Sequence, residues 1–351
     1  MKIFVTGGAG YIASHTCLEL LEEGNKIVVL DNLSNSSIKS IKRISEIANK
    51  TLSIDVFDNA DISFYKGDIR DSQILESIFR NHNIDAVMHF AGLKAVGESI
   101  QKPLEYYDNN VIGSISLFEN MHKHNVNNIV FSSSATVYGD SIKMPITEDF
   151  PTGKTKNPYG QTKHIIENIL RDISKSNPDW NISILRYFNP IGAHPSGLIG
   201  EDPSGIPDNL MPYICKVAIG ELKELSIFGN NYSTKDGTGV RDYIHVVDLA
   251  MGHISALKFI LSNSNNDTNV SIFNLGTGKG TSVLELLQAF ESASGIKIPH
   301  VFDKEREGDV SECWASIEKI KSILGWKPTN DILKMCEDSW RWQSKNPKGY
   351  D

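Results

Sequence analysis

The sequence predicts an α/β protein: a Rossmann-type doubly wound parallel sheet in residues 1–188, then a smaller α/β C-terminal lobe, 189–351, from which some chain returns to the first domain. Three observations predict it. A short apolar run, Lys2 to Thr6, breaks into Gly7-Gly8-Ala9-Gly10 and resumes at Tyr11 with helical spacing to about Glu23. A second apolar run, Lys26 to Leu30, ends in Asp31, about twenty residues beyond the loop. Strand-like and helix-like stretches then keep alternating, the pattern of parallel strands joined by crossover helices.

The glycine loop is the first element with a chemical meaning. Gly7 and Gly10 let backbone N–H groups approach a pyrophosphate, and the positive end of the following helix stabilises its charge. Ala13 stands where a third glycine is usual, and alanine is accepted there. Asp31 is placed to hold the adenosine ribose hydroxyls. It would repel a 2'-phosphate and no arginine follows it directly, so the cofactor is expected to be NAD rather than NADP.

Asn32 to Ser36 reads as a polar turn and Ile38 to Ala48 as a helix. Lys50 to Asp61 has no clean period and is expected to be a solvated surface excursion. Ile62 to Tyr65 alternates like a strand, ends in Gly67-Asp68-Ile69, and leads into a helix to about Asn81. Asp85 to Phe90 is a buried strand ending in Ala91-Gly92. Gly7, Asp31, Asp68 and Ala91-Gly92 therefore all fall at strand carboxyl ends, where open α/β sheets bind ligands. Helical segments are expected over 103–124 and 158–176, with the strand Asn128 to Phe131 emerging into Ser132-Ser133-Ser134 between them.

Tyr159 and Lys163, four apart on the second of these helices, share one face. A free phenol titrates near 10, and acting as a base at neutrality demands a fall to near 7, about 4 kcal/mol. One positive charge at ~6 Å in an effective dielectric of ~20 supplies roughly 3 kcal/mol. Lys163 alone is marginal; a positive nicotinamide ring closes the gap, so Tyr159 is expected to be a base chiefly with oxidised cofactor.

Composition narrows the partners. Thirty-five basic against forty-three acidic residues leave a net charge of −8, which disfavours nonspecific binding to nucleic acid or anionic membranes. Cys17, Cys215, Cys313 and Cys336 are widely spaced without a C-x-x-C, which points to a reduced, cytoplasmic setting rather than disulfides or zinc. The histidines lack ligand spacing, so no metal is expected. No apolar run reaches membrane-span length, and because the first strand begins at once no signal peptide is expected.

Four motifs carry a resemblance over essentially the whole length: Thr6-Gly7-Gly8-Ala9-Gly10-Tyr11-Ile12, the run from His89 to Ser99, Ser132-Ser133-Ser134-Ala135-Thr136-Val137-Tyr138-Gly139, and Leu185-Arg186-Tyr187-Phe188-Asn189-Pro190. The chain resembles the extended short-chain dehydrogenase/reductase family, and within it the UDP-glucose 4-epimerases. The resemblance implies that NAD is surrounded by Tyr11 and Ile12, by Asp31, Asn32, Leu33, Ser34, Asn35 and Ser36, and by Asp68 and Ile69. Phe90, Ala91, Gly92, Leu93 and Lys94, then Asn109, Lys163 and Phe188, complete that set. Ser134 and Tyr159 are implied to meet both the cofactor and the sugar hydroxyl.

For the second lobe, the resemblance implies Asn189, Asn209, Leu210 and Tyr243 near the UDP-sugar, with Ser226, Ile227 and Phe228 flanking uracil. Arg241, and Arg306 in Arg306-Glu307-Gly308-Asp309, can each give bidentate hydrogen bonds to a diphosphate. Asp309 is implied to take the uridine ribose hydroxyls. Cys313 stands where relatives restricted to glucose and galactose carry tyrosine; the smaller side chain leaves room for an N-acetyl group, predicting interconversion of the UDP-N-acetylhexosamines as well. A dehydratase, the nearest rival, needs an acid pair after the serine-rich strand, where this chain has Ala135 and Thr136. A noncatalytic NAD sensor could discard the base, yet Ser134, Tyr159 and Lys163 are all present. The segments 103–124 and 158–176 are expected to form a homodimer interface, as is common in this family.

Overall fold

The computed structural model describes residues 1–139, 143–262, 269–306 and 309–351. The chain divides into two compact units: Met1–Gly139, Pro151–Arg186 and Ala250–Phe273 form the first, and Asp140–Phe150, Tyr187–Leu249 and Asn274–Asp351 the second.

Strands β1 (Lys2–Thr6), β2 (Lys26–Asp31), β3 (Leu52–Ile54), β4 (Ile62–Lys66), β5 (Ala86–His89), β6 (Asn128–Ser134) and β7 (Asn181–Tyr187) join the strand Val270–Leu275 in one eight-stranded sheet. Its order is Val270–Leu275, β7, β6, β5, β1, β2, β4, β3. Every pairing from β3 through β6 is parallel. The chain starts at the centre, winds outward through β2, and crosses back to place β5 on the other side of β1. That reversal puts the topological switch point between β1 and β5, the position at which such sheets bind ligands. Ile3, Phe4 and Val5 have no exposed surface, as expected of a strand covered on both faces. The covering helices include α1 (Tyr11–Glu22), α2 (Ile38–Ala48) and α3 (Ser72–Asn81).

Two predicted segments differ in detail. Lys50 to Asp61 is not merely a solvated loop: β3 within it pairs with β4 as an edge strand, Tyr65 Oη donates to Val56 O at 2.9 Å, and Phe57 stacks on Tyr65 at 5.0 Å. The expected helix 103–124 is broken into α5 (Pro103–Tyr106), a π-helical stretch Tyr107–Ile112, and α6 (Gly113–Lys123), preceded by α4 (Val96–Gln101). The wider turn accommodates two adjacent polar residues inside, Asn109 and Asn110. Helix α7 spans Pro158–Ser176, as the spacing predicts.

The second unit is built from short pairs. Asn189–Ile191 runs parallel to Tyr243–His245, and Leu225–Phe228 parallel to His300–Asp303. Val240–Arg241 sits between Thr281–Ser282 and Glu312–Cys313. Its core gathers Ile214, Ile227, Leu286, Phe290, Met335 and Cys336. Among the described residues no helix is long and apolar enough to cross a membrane.

Candidate active site

The cofactor cradle lies at the switch point. Gly7 has φ +68°, and a Cβ there would stand 2.8 Å from the Ala91 backbone, so the loops after β1 and β5 touch through a position that only glycine fills without strain. Gly10 caps α1 with no side-chain hydrogen bond. The N–H groups of the first turn, from Tyr11 and Ile12 onward, have no intrahelical acceptors by helix geometry and carry the positive end of its dipole.

Asp31, 8% exposed, accepts from Ala9 N at 3.0 Å, Leu33 N at 2.8 Å and Ser36 Oγ at 2.8 Å. Burial raises its pKa while those donors oppose the rise. Leu33 adopts φ +60°, a left-handed conformation worth about 1 kcal/mol of strain, secured by that bond to Asp31. Asn32 accepts from Ser34 N at 3.0 Å and donates to Asp68 at 3.0 Å; Ser34 and Asn35 are exposed. Hydrogen bonds from Arg70 hold the Asp68 carboxyl well below its ordinary range, and Ile69 is buried beside Gly113. Phe90 packs on His253 at 4.7 Å, and Lys94 is exposed. A glycine cradle closed on a second loop, a helix N-terminus and a pinned carboxylate fit a dinucleotide without a 2'-phosphate.

The candidate catalytic trio, Ser134, Tyr159 and Lys163, lies in the same unit. Asn157 caps α7, accepting from Gly160 N at 2.8 Å, with Pro158 in the first turn. A Cβ on Gly160 would lie 3.2 Å from Thr136 O, so the missing side chain lets the first turn of α7 press against the turn that follows β6. Tyr159 and Ser134 are thereby joined. Burial raises the Tyr159 phenol, and its hydrogen bond with Ser134 lowers it. Lys163 Nζ donates to Ser132 O at 2.7 Å and lies 4.9 Å from the Phe131 ring centre. Burial brings its ammonium down to about 8, with Glu167 opposing that fall.

Three residues here were given no role in the site by the sequence reading. Asn110 accepts from Leu93 N at 2.8 Å and from Asn109 Nδ2 at 2.9 Å, and donates to Leu93 O and to Thr162 Oγ1, each at 3.0 Å. It ties the loop after β5 to α7, beside Gly92 and Lys163. Thr136 donates its hydroxyl to Ser134 Oγ at 3.0 Å. Glu167 lies one turn past Lys163 and is fully buried. Each stands next to, or one turn from, a residue the motifs had marked; that adjacency was the available signal.

In the second unit, Arg241 Nη2 pairs with Asp309 at 2.8 Å, and strand register sets Arg241 opposite Cys313. Asp309 N donates to Arg306 O at 3.1 Å, and the Arg306 guanidinium lies 4.0 Å from the Phe228 ring centre. Arg241, Arg306, Asp309, Cys313 and Phe228 are thus brought together; Glu307 and Gly308 lie outside the described residues. Strand alternation puts Ile227 in the core, 1% exposed, and leaves Ser226 and Phe228 on the other face. Tyr243 is buried in the same core at 5%. Asn209 caps the helix Leu210–Ala218 and donates to Glu201 at 2.9 Å; Phe188 is buried and Asn189 is exposed. Behind the cluster, fully buried Asp242 accepts from Thr277 N and Oγ1, each at 2.6 Å, Gly278 N at 3.0 Å and Ala315 N at 3.1 Å, fastening Arg241 to the Cys313 strand.

The comparisons with known proteins agree with this geometry. Residues 4–339 match the family described as GDP-mannose 4,6 dehydratase. The UDP-glucose 4-epimerase of Bacillus subtilis is 56% identical, over 100% of this chain and 99% of its own. A crystal structure of the UDP-glucose 4-epimerase from Bifidobacterium longum, in complex with NAD+ and UDP, is 50% identical with a TM-score of 0.92, over 99% of this chain and 100% of that one. The UDP-Glc/GlcNAc 4-epimerase from Campylobacter jejuni is 34% identical with a TM-score of 0.82, over 98% and 99%. The dehydratase description belongs to the broad family, and the turn after β6 carries Ala135 and Thr136, neither of them an acid. With the Ser134–Tyr159–Lys163 trio and the glycine cradle in place, this chain belongs to the UDP-glucose 4-epimerase family, within the extended short-chain dehydrogenases/reductases.

Proposed function

We propose that the protein interconverts UDP-galactose and UDP-glucose by transient oxidation at the sugar C4, and that the Ser134–Tyr159–Lys163 arrangement carries this reading. NAD is the cofactor; when bound it accepts the C4 hydride and returns it within one turnover. Gly7, Gly10, Asp31 and the first turn of α1 hold it. Ser134 orients the 4-hydroxyl, and Tyr159 takes its proton and later gives it back. Lys163 holds its charge close to the phenol. Arg241 and Arg306 grip the diphosphate and Asp309 the uridine ribose. Binding energy remote from the reacting carbon then retains the oxidised sugar while leaving it free to turn over.

Cys313 supports a wider substrate range that includes UDP-N-acetylglucosamine and UDP-N-acetylgalactosamine. Burial pushes its thiol up to about 11, so at neutral pH it is a small, uncharged wall. The enzyme serves galactose metabolism and the supply of sugars for polysaccharides, in the cytoplasm. The working form is a homodimer: Val96, Ile100, Leu104 and Ile112 are 41%, 62%, 81% and 53% exposed along the segment α4 to α6, an apolar stripe suited to a second copy.

Incubating the purified protein with UDP-galactose, without added cofactor, and following the sugar protons by NMR tests the central claim. UDP-glucose is expected to accumulate to a fixed equilibrium with no NADH released. An unchanged spectrum after NAD is added would overturn it.

A further inference from the structure

A buried carboxylate stands one helical turn beyond the catalytic lysine. The oxygens of Glu167 accept from Ser133 Oγ at 2.6 Å, Arg186 Nε at 2.9 Å, Arg186 Nη2 at 2.6 Å and Arg171 Nη2 at 2.9 Å. Arg186, 1% exposed, also donates from Nη1 to Tyr138 Oη at 2.9 Å. The partners matter by where they sit. Ser133 immediately precedes Ser134. Tyr138 closes the turn Ala135–Tyr138 that Ser134 caps. The catalytic strand end is thus held on both sides of Ser134, directly at Ser133 and through Arg186 at Tyr138.

We propose that Glu167 is a positioning residue: its carboxylate clamps the end of β6 that carries Ser134 to the helix that carries Tyr159 and Lys163. Taking an ion pair out of water is expensive, and an apolar pair of equal volume would fill the space at lower cost. What the pair contributes is a fixed geometry, because bidentate hydrogen bonds specify direction. Its charge has a second effect. Lys163 is faced by Phe131 and Ser132 of β6, by Gly92, by Tyr159 on its own helix, and by His89 of β5, whose ring burial and Lys163 hold neutral, near 3. Glu167, itself paired with Arg186 and Arg171, is the carboxylate that favours the Lys163 ammonium.

The inference rests on the epimerase reading for its rate measurement, so the experiment includes one that does not. In the NAD-loaded protein labelled with ε-13C lysine, the Lys163 resonance, assigned through Lys163→Arg, is titrated in wild type and in Glu167→Gln. The Lys163 midpoint is expected to drop by about one pH unit, a tenfold change in proton affinity. Ser133→Ala, which leaves the Glu167–Arg186 pair intact, is expected to lower kcat about tenfold with KM within about twofold, and Ser133→Thr to restore it. A wild-type Lys163 midpoint in folded Glu167→Gln, or a wild-type kcat in Ser133→Ala, overturns the proposal. Should Glu167→Gln fail to fold, Ser133→Ala decides alone. If wild type shows no epimerase activity, that reading fails while the Lys163 titration still judges the clamp.

Discussion

Tyr159 shows how one residue's chemistry depends on its surroundings. Charge arithmetic left Lys163 marginal as an activator, and the structure widens the gap, because burial raises the phenol and also weakens the Lys163 ammonium to about 8. Ser134 recovers part of the difference by hydrogen bonding. A further positive charge is required, so the Tyr159 phenol is expected to titrate at least about one pH unit lower with NAD+ than with NADH bound. Ultraviolet difference titration of the two forms, referenced to Tyr159→Phe, checks this; equal midpoints would sink it. Cys313 poses a steric question instead. Cys313→Tyr is expected to cut turnover of the UDP-N-acetylhexosamines by roughly 100-fold while sparing UDP-galactose, and parallel loss of both activities would refute the size argument.

The turn between β1 and α1 is an element whose function depends on a missing atom. Gly7 combines φ +68° with a 2.8 Å approach to Ala91, so Gly7→Ala strains the backbone and pushes two loops apart. The expected cost is roughly 2 kcal/mol or more of stability, with loss of copurifying NAD. Thermal melting and the absorbance ratio of the purified protein measure the two effects. If the variant keeps wild-type melting and its NAD, the cradle does not work as described. The π-helical stretch is a second such element. Regular helical spacing would put Asn109 and Asn110 on different faces, whereas the wider turn buries both and hands Asn110 the task of tying Leu93 to Thr162.

At the scale of the molecule, Val96 and Ile100 on α4 and Leu104 on α5 are exposed apolar side chains flanking the helix break at Lys102, a patch that the proposed homodimer would cover. Leu104→Glu is therefore expected to halve the mass measured by sedimentation equilibrium, and a wild-type mass that is already monomeric would dispose of the dimer.

What the sequence determined by itself was the sheet and its ligand end. Glycine spacing, the acid at the end of β2 and the Tyr159–Lys163 interval are local signals, read within one turn or one strand, and the fold sets Gly7 just past β1, Asp31 at the end of β2 and Lys163 on α7. The resemblance further marked Ser134, Arg241 and Asp309 one by one. Only the tertiary structure decided how they are held. Glu167 meets Ser133 across 34 positions and Arg186 across 19, and Asp242 meets Ala315 across 73. The strand at Leu52–Ile54 likewise exists because β4 offers it an edge. Such contacts carry no period and no spacing rule; folding creates them by burying polar groups that must then find one another.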